Sequence, residues 1–193
     1  MSSADTSATV IKATEQWLER AVIGLNLCPF AKAVHIKQQI RFVLSPASTA
    51  QALLETLHQE LLTLIQTPAQ QIDTTLLIHP EVLQDFLDYN DFLGEADALL
   101  ESLELDGQIQ IASFHPQYQF AGSNADDIEN YTNRSPYPML HLLREDSVAR
   151  AVAAIPDPED IFTRNMATLQ SLGHAGWLAI LHPDGKNPDQ STG

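Results

Sequence analysis

Apolar positions recur along this chain with two periods, and the switches between them mark its elements. From about residue 6 to 24, Val10, Ile11, Trp17, Leu18, Ala21, Val22 and then Leu25 follow helical spacing. Residues 39–44, QIRFVL, alternate instead, which predicts a strand with Ile40, Phe42 and Leu44 on one face. A helix is predicted over 48–66, with a stripe of Leu53, Leu54, Leu57, Leu61, Leu64 and Ile65 closed by Pro68. Strands are expected at 74–79 and 108–114, and helices at 81–93 and, after a break at Gly94, at 95–104. Residues 115–138 show no sustained period but carry four aromatic rings, so an ordered loop over the strand ends is expected. Residues 139–143 fit a short strand or a helix start. A helix follows at 147–155. Another opens on Asp157-Pro158-Glu159-Asp160, a cap residue, a first-turn proline and acids at the positive end, and stops at Gly173. A last strand is expected at 177–182.

Three apolar runs end in His-Pro: LLIHP at 76–80, IASFHP at 111–116 and LAILHP at 178–183. Seven His and eleven Pro in 193 residues give roughly half of one such dipeptide by composition. The residue before proline is pushed into extended conformation, and proline ends a central strand. Each run therefore reads as a buried strand that delivers a histidine at its exit. Parallel neighbouring strands bring such histidines to one sheet edge, where ligands of open α/β sheets bind. The element order predicts an α/β layered fold, a partly parallel sheet flanked by helices, with a mixed α+β sheet as the alternative. One domain over 6–182 is expected, with 1–5 and 183–193 as loose termini.

Charge narrows the partners. The formal net charge is −15, a field that opposes nucleic acid and anionic membrane surfaces. From Phe42 to Asn133 there is no Lys or Arg against fifteen Asp and Glu; Arg134, Arg144, Arg150 and Arg164, four of the six arginines, then arrive within thirty-one residues. Arginine suits bidentate capture of carboxylate or phosphate, although such residues also relieve an acidic surface. The single cysteine fits a reducing compartment, and no secretion signal or bilayer-length apolar run is present, so a soluble, cytoplasmic protein is expected.

The densest set of chemical groups runs from His115 to Glu145. His115 is the candidate acid or base, and Asp126 or Asp127 the group that orients it. Arg134 and Arg144 are the candidate anion-binding residues, with His79, Asn133, Ser135, His141 and Tyr118 as further substrate contacts. Cys28 is a candidate nucleophile, although a thiol at a helix C-terminus has its pKa raised rather than lowered. His79 and His115 with Asp126 or His141 form a possible metal set, but every ligand comes from a different element, so no metal residue is assigned and the cofactor stays open.

NLCPFAK (26–32), LLIHP followed by DFLDYNDFL (85–93), FHPQYQFAG (114–122) and TNRSPYPMLHLLRED (132–146) together resemble a bacterial family, the one catalogued as domain of unknown function 1415. The likeness spans roughly residues 10–180. It implies a bacterial cytoplasmic protein of one domain and carries no activity or catalytic residue. The residues themselves point to a small-molecule enzyme acting on a carboxylate or phosphate substrate. The alternatives are a non-catalytic ligand- or partner-binding protein and a metal-dependent enzyme.

Overall fold

A computed structural model describes residues 3–154 and 160–183. The helix start at Asp157-Pro158-Glu159, and residues 1–2 and 184–193 of the expected loose termini, lie outside this range, whereas residues 3–5, also expected to be loose, begin the first helix. The elements run α1 (Ser3–Trp17), a π-helical turn (Leu18–Ile23), α2 (Ala31–Ile36), β1 (Ile40–Leu44), α3 (Ala50–Gln66), β2 (Thr74–Ile78), α4 (Phe86–Ser102), β3 (Ile109–Phe114), a 3-10 turn (Ile128–Thr132), β4 (Met139–Arg144), α5 (Glu145–Ala153) and α6 (Asp160–Leu181).

The four strands form one mixed sheet in the order β1-β2-β4-β3. β1 and β2 are parallel, while β4 runs antiparallel to both β2 and β3. β1, β2 and β3 therefore point the same way and end at one edge, with β4 inserted between the two strands that end in His-Pro. This is the expected helix-flanked α/β layout with a partly parallel sheet.

Strand alternation divides the helices between two faces. Val43, Leu77, Ile109, Leu140 and Leu142 face α3 and α4. There the α3 stripe of Leu53, Leu57, Leu61 and Leu64 is fully buried. Each of these leucines stabilises the fold by roughly 2–5 kcal/mol relative to alanine. Thr49 caps α3 by accepting from the Ala52 N–H, and Asp85 caps α4 by accepting from the Leu87 and Asp88 N–H groups. The other face carries Ile40, Phe42, Leu44, Leu76, Ile78, Met139 and Phe114, and packs on α1, the π-helical turn and α6.

Several expectations are corrected. The run at 177–182 is helix, not strand. A short apolar run has no period of its own, and here Leu169 and Trp177 bury one side of α6 while Leu178 on the other is exposed. Gly173 is non-helical, at φ 63° and ψ 175°, so it stops the first helical segment of α6 as expected, and a second segment follows it to Leu181. Gly94 leaves α4 unbroken, because its solvent side has open space and needs no side chain. α4 starts at Phe86 rather than residue 81, since Asp85 supplies the cap. The expected helix over 6–24 passes into π geometry at Leu18 and ends at Gly24, where a Cβ would lie 2.2 Å from the Arg20 carbonyl oxygen. The open reading of 139–143 resolves as β4, the central antiparallel strand.

Candidate functional site

The candidate residues gather in three places. The first is the edge where β2 and β3 end. His79 and His115 are both fully buried there and flank the ring of Tyr89, at centroid distances of 5.8 and 5.1 Å. Phe86 packs on His115 and on Tyr118, which joins the same cluster. Both histidines fasten the loop between β2 and α4. A carbonyl can only accept, so His79 Nδ1–H donates to Val82 O at 3.0 Å and His115 Nε2–H to Leu83 O at 3.2 Å. His115 Nδ1 accepts from the Gln117 N–H. Leu83 sits at φ 55°, a left-handed conformation disfavoured for leucine, and these bonds hold it there. The Tyr89 hydroxyl donates to Met139 O at 2.8 Å and accepts from the Phe114 N–H at 3.1 Å, tying the paired ends of β4 and β3 together. Burial pushes His79 down to about 4, and burial likewise lowers His115. His79 Nε2 is buried without a hydrogen-bond partner among the described residues, and His79 lines neither of the two cavities that follow.

The second place is the loop from His115 to Pro138, ordered by internal bonds. Buried Asn130 accepts from the Phe120 N–H and the Ser123 hydroxyl, and donates to Asn124 O. Asp127 accepts from the Asn124 N–H, and the backbone carbonyl of Asp126 accepts from His174 on α6. Asn133 donates to Ser113 O, and the Ser135 hydroxyl to Tyr137 O. Arg134 donates to the carbonyls of Tyr118 and Ala125 and lies 4.4 Å over the Tyr131 ring. Arg134 and Ser135 also border a cavity of about 360 Å³ between α1 and α6. The polar groups of this loop mainly hold its own backbone.

The third place is a cavity of about 610 Å³ on the sheet face opposite α3 and α4. α1, the π-helical turn, α2 and α5 enclose it, and its walls include Trp17, Val22, Phe30, Leu76 and Phe114. His141 stands at the centre of its floor, paired across the sheet with Leu76 on one side and Ala112 on the other. The Thr74 hydroxyl donates its hydrogen to Leu142 O at 2.7 Å, so Thr74 Oγ1 accepts from His141 Nε2–H at 2.6 Å. That bond fixes the tautomer and leaves Nδ1 as an acceptor without a partner among the described residues. Burial holds His141 near 4, so the imidazole is uncharged at neutral pH.

Cys28 and Arg144 line the same cavity. Burial raises the Cys28 thiol, against the bonds it receives from the backbone at Phe30 and Ala31, so it is protonated at neutral pH. Arg144 donates to the carbonyls of Leu64 and Thr67 at the C-terminal end of α3 and to Ile72 O. Sequence reasoning did not single out Lys37, Asp73, Thr74, Gln110 or Ser147, and met Arg150 only as one of the clustered arginines; these complete the polar part of the lining. Ser147 donates to Asp73 at 2.5 Å and accepts from Arg150 at 2.9 Å. The one readable signal was MLHLLR followed by EDSVAR, a histidine in period two with strand residues and then a helix returning polar groups to the same edge.

The constellation expected from His115 to Glu145 is thus divided. His79, His115 and Tyr118 meet at the strand exits. Asp126, Asp127, Asn133, Arg134 and Ser135 brace the loop. Cys28, His141 and Arg144 share the sheet-face cavity. Among the described residues, no three His, Cys, Asp or Glu side chains come together as metal ligands, and no helix is long and apolar enough to cross a membrane.

A family described as protein of unknown function (DUF1415) matches residues 9–179. No curated protein and no solved structure matches the chain.

Proposed function

We propose a function for this chain, which belongs to the DUF1415 family of proteins of unknown function, centred on the sheet-face cavity: uptake of a small anionic molecule and acid–base chemistry on it. The observation that carries the proposal is His141, with one nitrogen committed to Thr74 and the other open on a cavity of about 610 Å³. The acid–base role expected of His115 passes to His141, because both His115 nitrogens serve backbone partners.

An imidazole near 4 is a weak base by itself. A bound anion favours its protonated form and raises its pKa toward neutrality. The substrate then makes the base competent, and the Thr74 bond keeps the ring oriented as it takes the proton on Nδ1. The anion-binding role moves from Arg134 and Arg144, engaged by backbone carbonyls, to Lys37 and Arg150. Arg144 positions α3 and the Ile72 segment beside the site. Cys28, protonated, is a wall residue here, and the single thiol suits a reducing, cytoplasmic setting.

The test is a screen of small carboxylates and phosphates for binding and turnover, repeated on His141→Gln. Turnover falls by roughly 10²–10⁴-fold while affinity changes only a few-fold. Full turnover in His141→Gln overturns the proposal. A non-catalytic binding protein is favoured by the lowered His141 pKa, which suits hydrogen-bond acceptance from a ligand without proton transfer; saturable binding with no turnover of any bound compound selects it.

A further inference from the structure

We infer that the cavity ligand is an amphiphilic anion, an apolar chain or ring bearing one carboxylate-type end group, seated with its charged end at the edge where β1, β2 and β3 begin. The inference rests on the reading of the cavity as the site and adds the class of molecule and its direction. Strand register arranges this sheet face in three rows, and the cavity touches Ile40, Thr74, Leu143 and Gln110 of the first, Leu76, His141 and Ala112 of the second, and Phe114 of the third. The first crosses Ile40, Thr74, Leu143 and Gln110, the second Phe42, Leu76, His141 and Ala112, and the third Leu44, Ile78, Met139 and Phe114. Successive rows lie about 7 Å apart, two residues along a strand.

Apart from His141 in the second row and Cys28, the polar lining groups lie in the first row and at the edge beyond it. Lys37 precedes β1, Asp73 precedes β2, Gln110 opens β3, and Arg144, Ser147 and Arg150 follow the end of β4. The opposite end is apolar, closed by Phe114 and the edge-on ring of Trp17 at 5.3 Å.

Charge sets the sign of the head group. Three cations and one carboxylate, Asp73, line the cavity of a chain whose formal net charge is −15. The carboxylate pairs within 4.0 Å among the described residues are Arg41–Glu60 and His35–Glu19, so Lys37, Arg144 and Arg150 have no direct carboxylate partner. An anion at this edge meets Lys37 and Arg150, and its body runs over Ala112 toward Phe114. His141 then faces a group about one row, ~7 Å, from the charge. Ala112 keeps that path open, because a larger side chain beside His141 fills it.

The experiment is displacement of anilinonaphthalene sulfonate, an aromatic anion with a fluorescent readout, by four competitors: octanoate, 1-octanol, octylammonium and succinate. Octanoate displaces it at least ten-fold more effectively than the other three. Lys37→Ala with Arg150→Ala lowers octanoate affinity by at least ten-fold and leaves octanol unchanged. Equal displacement by octanol or octylammonium, or by succinate, overturns the amphiphilic-anion assignment while the cavity reading stands. Ala112→Trp abolishes probe and octanoate binding, with Ala151→Trp on the α5 wall as the second filling variant if the first does not fold. Undiminished binding in a folded filling variant places the site elsewhere and overturns the cavity reading itself. A folded wild-type protein that binds neither probe nor octanoate overturns the inference as well.

Discussion

The strand-exit corner and the sheet-face cavity each hold buried, neutral histidines, yet they differ in what surrounds the lone pairs. At the corner, His115 has both nitrogens bonded, and His79 has one bonded and one buried without a partner among the described residues, and lines neither cavity. On the sheet face, His141 has one nitrogen fixed and one open on a cavity. The corner shows a histidine used as a polar rivet, joining a loop to strand ends. The cavity shows one held ready for a molecule. Burial and a lowered pKa are common to both, so neither separates structure from function; the open lone pair does.

The largest expected contrast is catalytic. His141→Gln removes roughly 10²–10⁴-fold of turnover and leaves the unfolding midpoint in urea nearly unchanged, whereas His115→Gln lowers the midpoint and spares turnover by the remaining folded protein. Loss of turnover in His115→Gln at full stability reverses the comparison.

The second contrast is with acid. His79 and His141 fall to about 4 in the folded chain, below the ordinary 6.5. The unfolded chain therefore binds the protons first as pH falls. Stability from these groups is complete above pH 6.5 and declines as pH drops toward 4, by about 2 kcal/mol for each histidine at pH 5. Urea unfolding at pH 7.5, 6 and 5 measures it. Octanoate opposes the loss through His141 but not through His79, so an acid slope insensitive to octanoate removes His141 from the site.

A smaller effect belongs to Tyr89. Tyr89→Phe leaves Met139 O and the Phe114 N–H unpaired in a buried place and costs about 1–3 kcal/mol by chemical unfolding, with cavity binding intact. The smallest is His182. At the end of α6, and at neither the strand edge nor the cavity floor, His182→Asn changes stability by less than about 0.5 kcal/mol. A large loss there restores the third His-Pro as a member of the set.

The alternation in QIRFVL and the α3 leucine stripe were legible because a helix or strand face writes its burial into consecutive residues. The His-Pro dipeptide likewise marked the exits of β2 and β3. It failed at 178–183, where four apolar residues suit helix and strand equally and the packing of α6 on the 3-10 turn and the π-helical turn decides. The cavity was less legible still. Its lining comes from eight elements, and its space depends on a small residue, Ala112, beside His141. The sequence also pointed to Arg134 and Arg144 as anion sites, because residue type shows a guanidinium but not the carbonyls waiting for it. The capture of Arg144 by α3 joins residues about eighty positions apart. Arg150 was legible only as one of the clustered arginines and Lys37 carried no local pattern; only the fold places them at one edge.

The two regions are separated most directly by NMR titration of the imidazole nitrogens, with and without octanoate. The expected result is a His141 pKa below 5 in the free protein that rises on octanoate binding, while His79 and His115 keep their resonances. Octanoate-dependent shifts at His79 or His115, with His141 unmoved, contradict the assignment of the sheet-face cavity as the functional site.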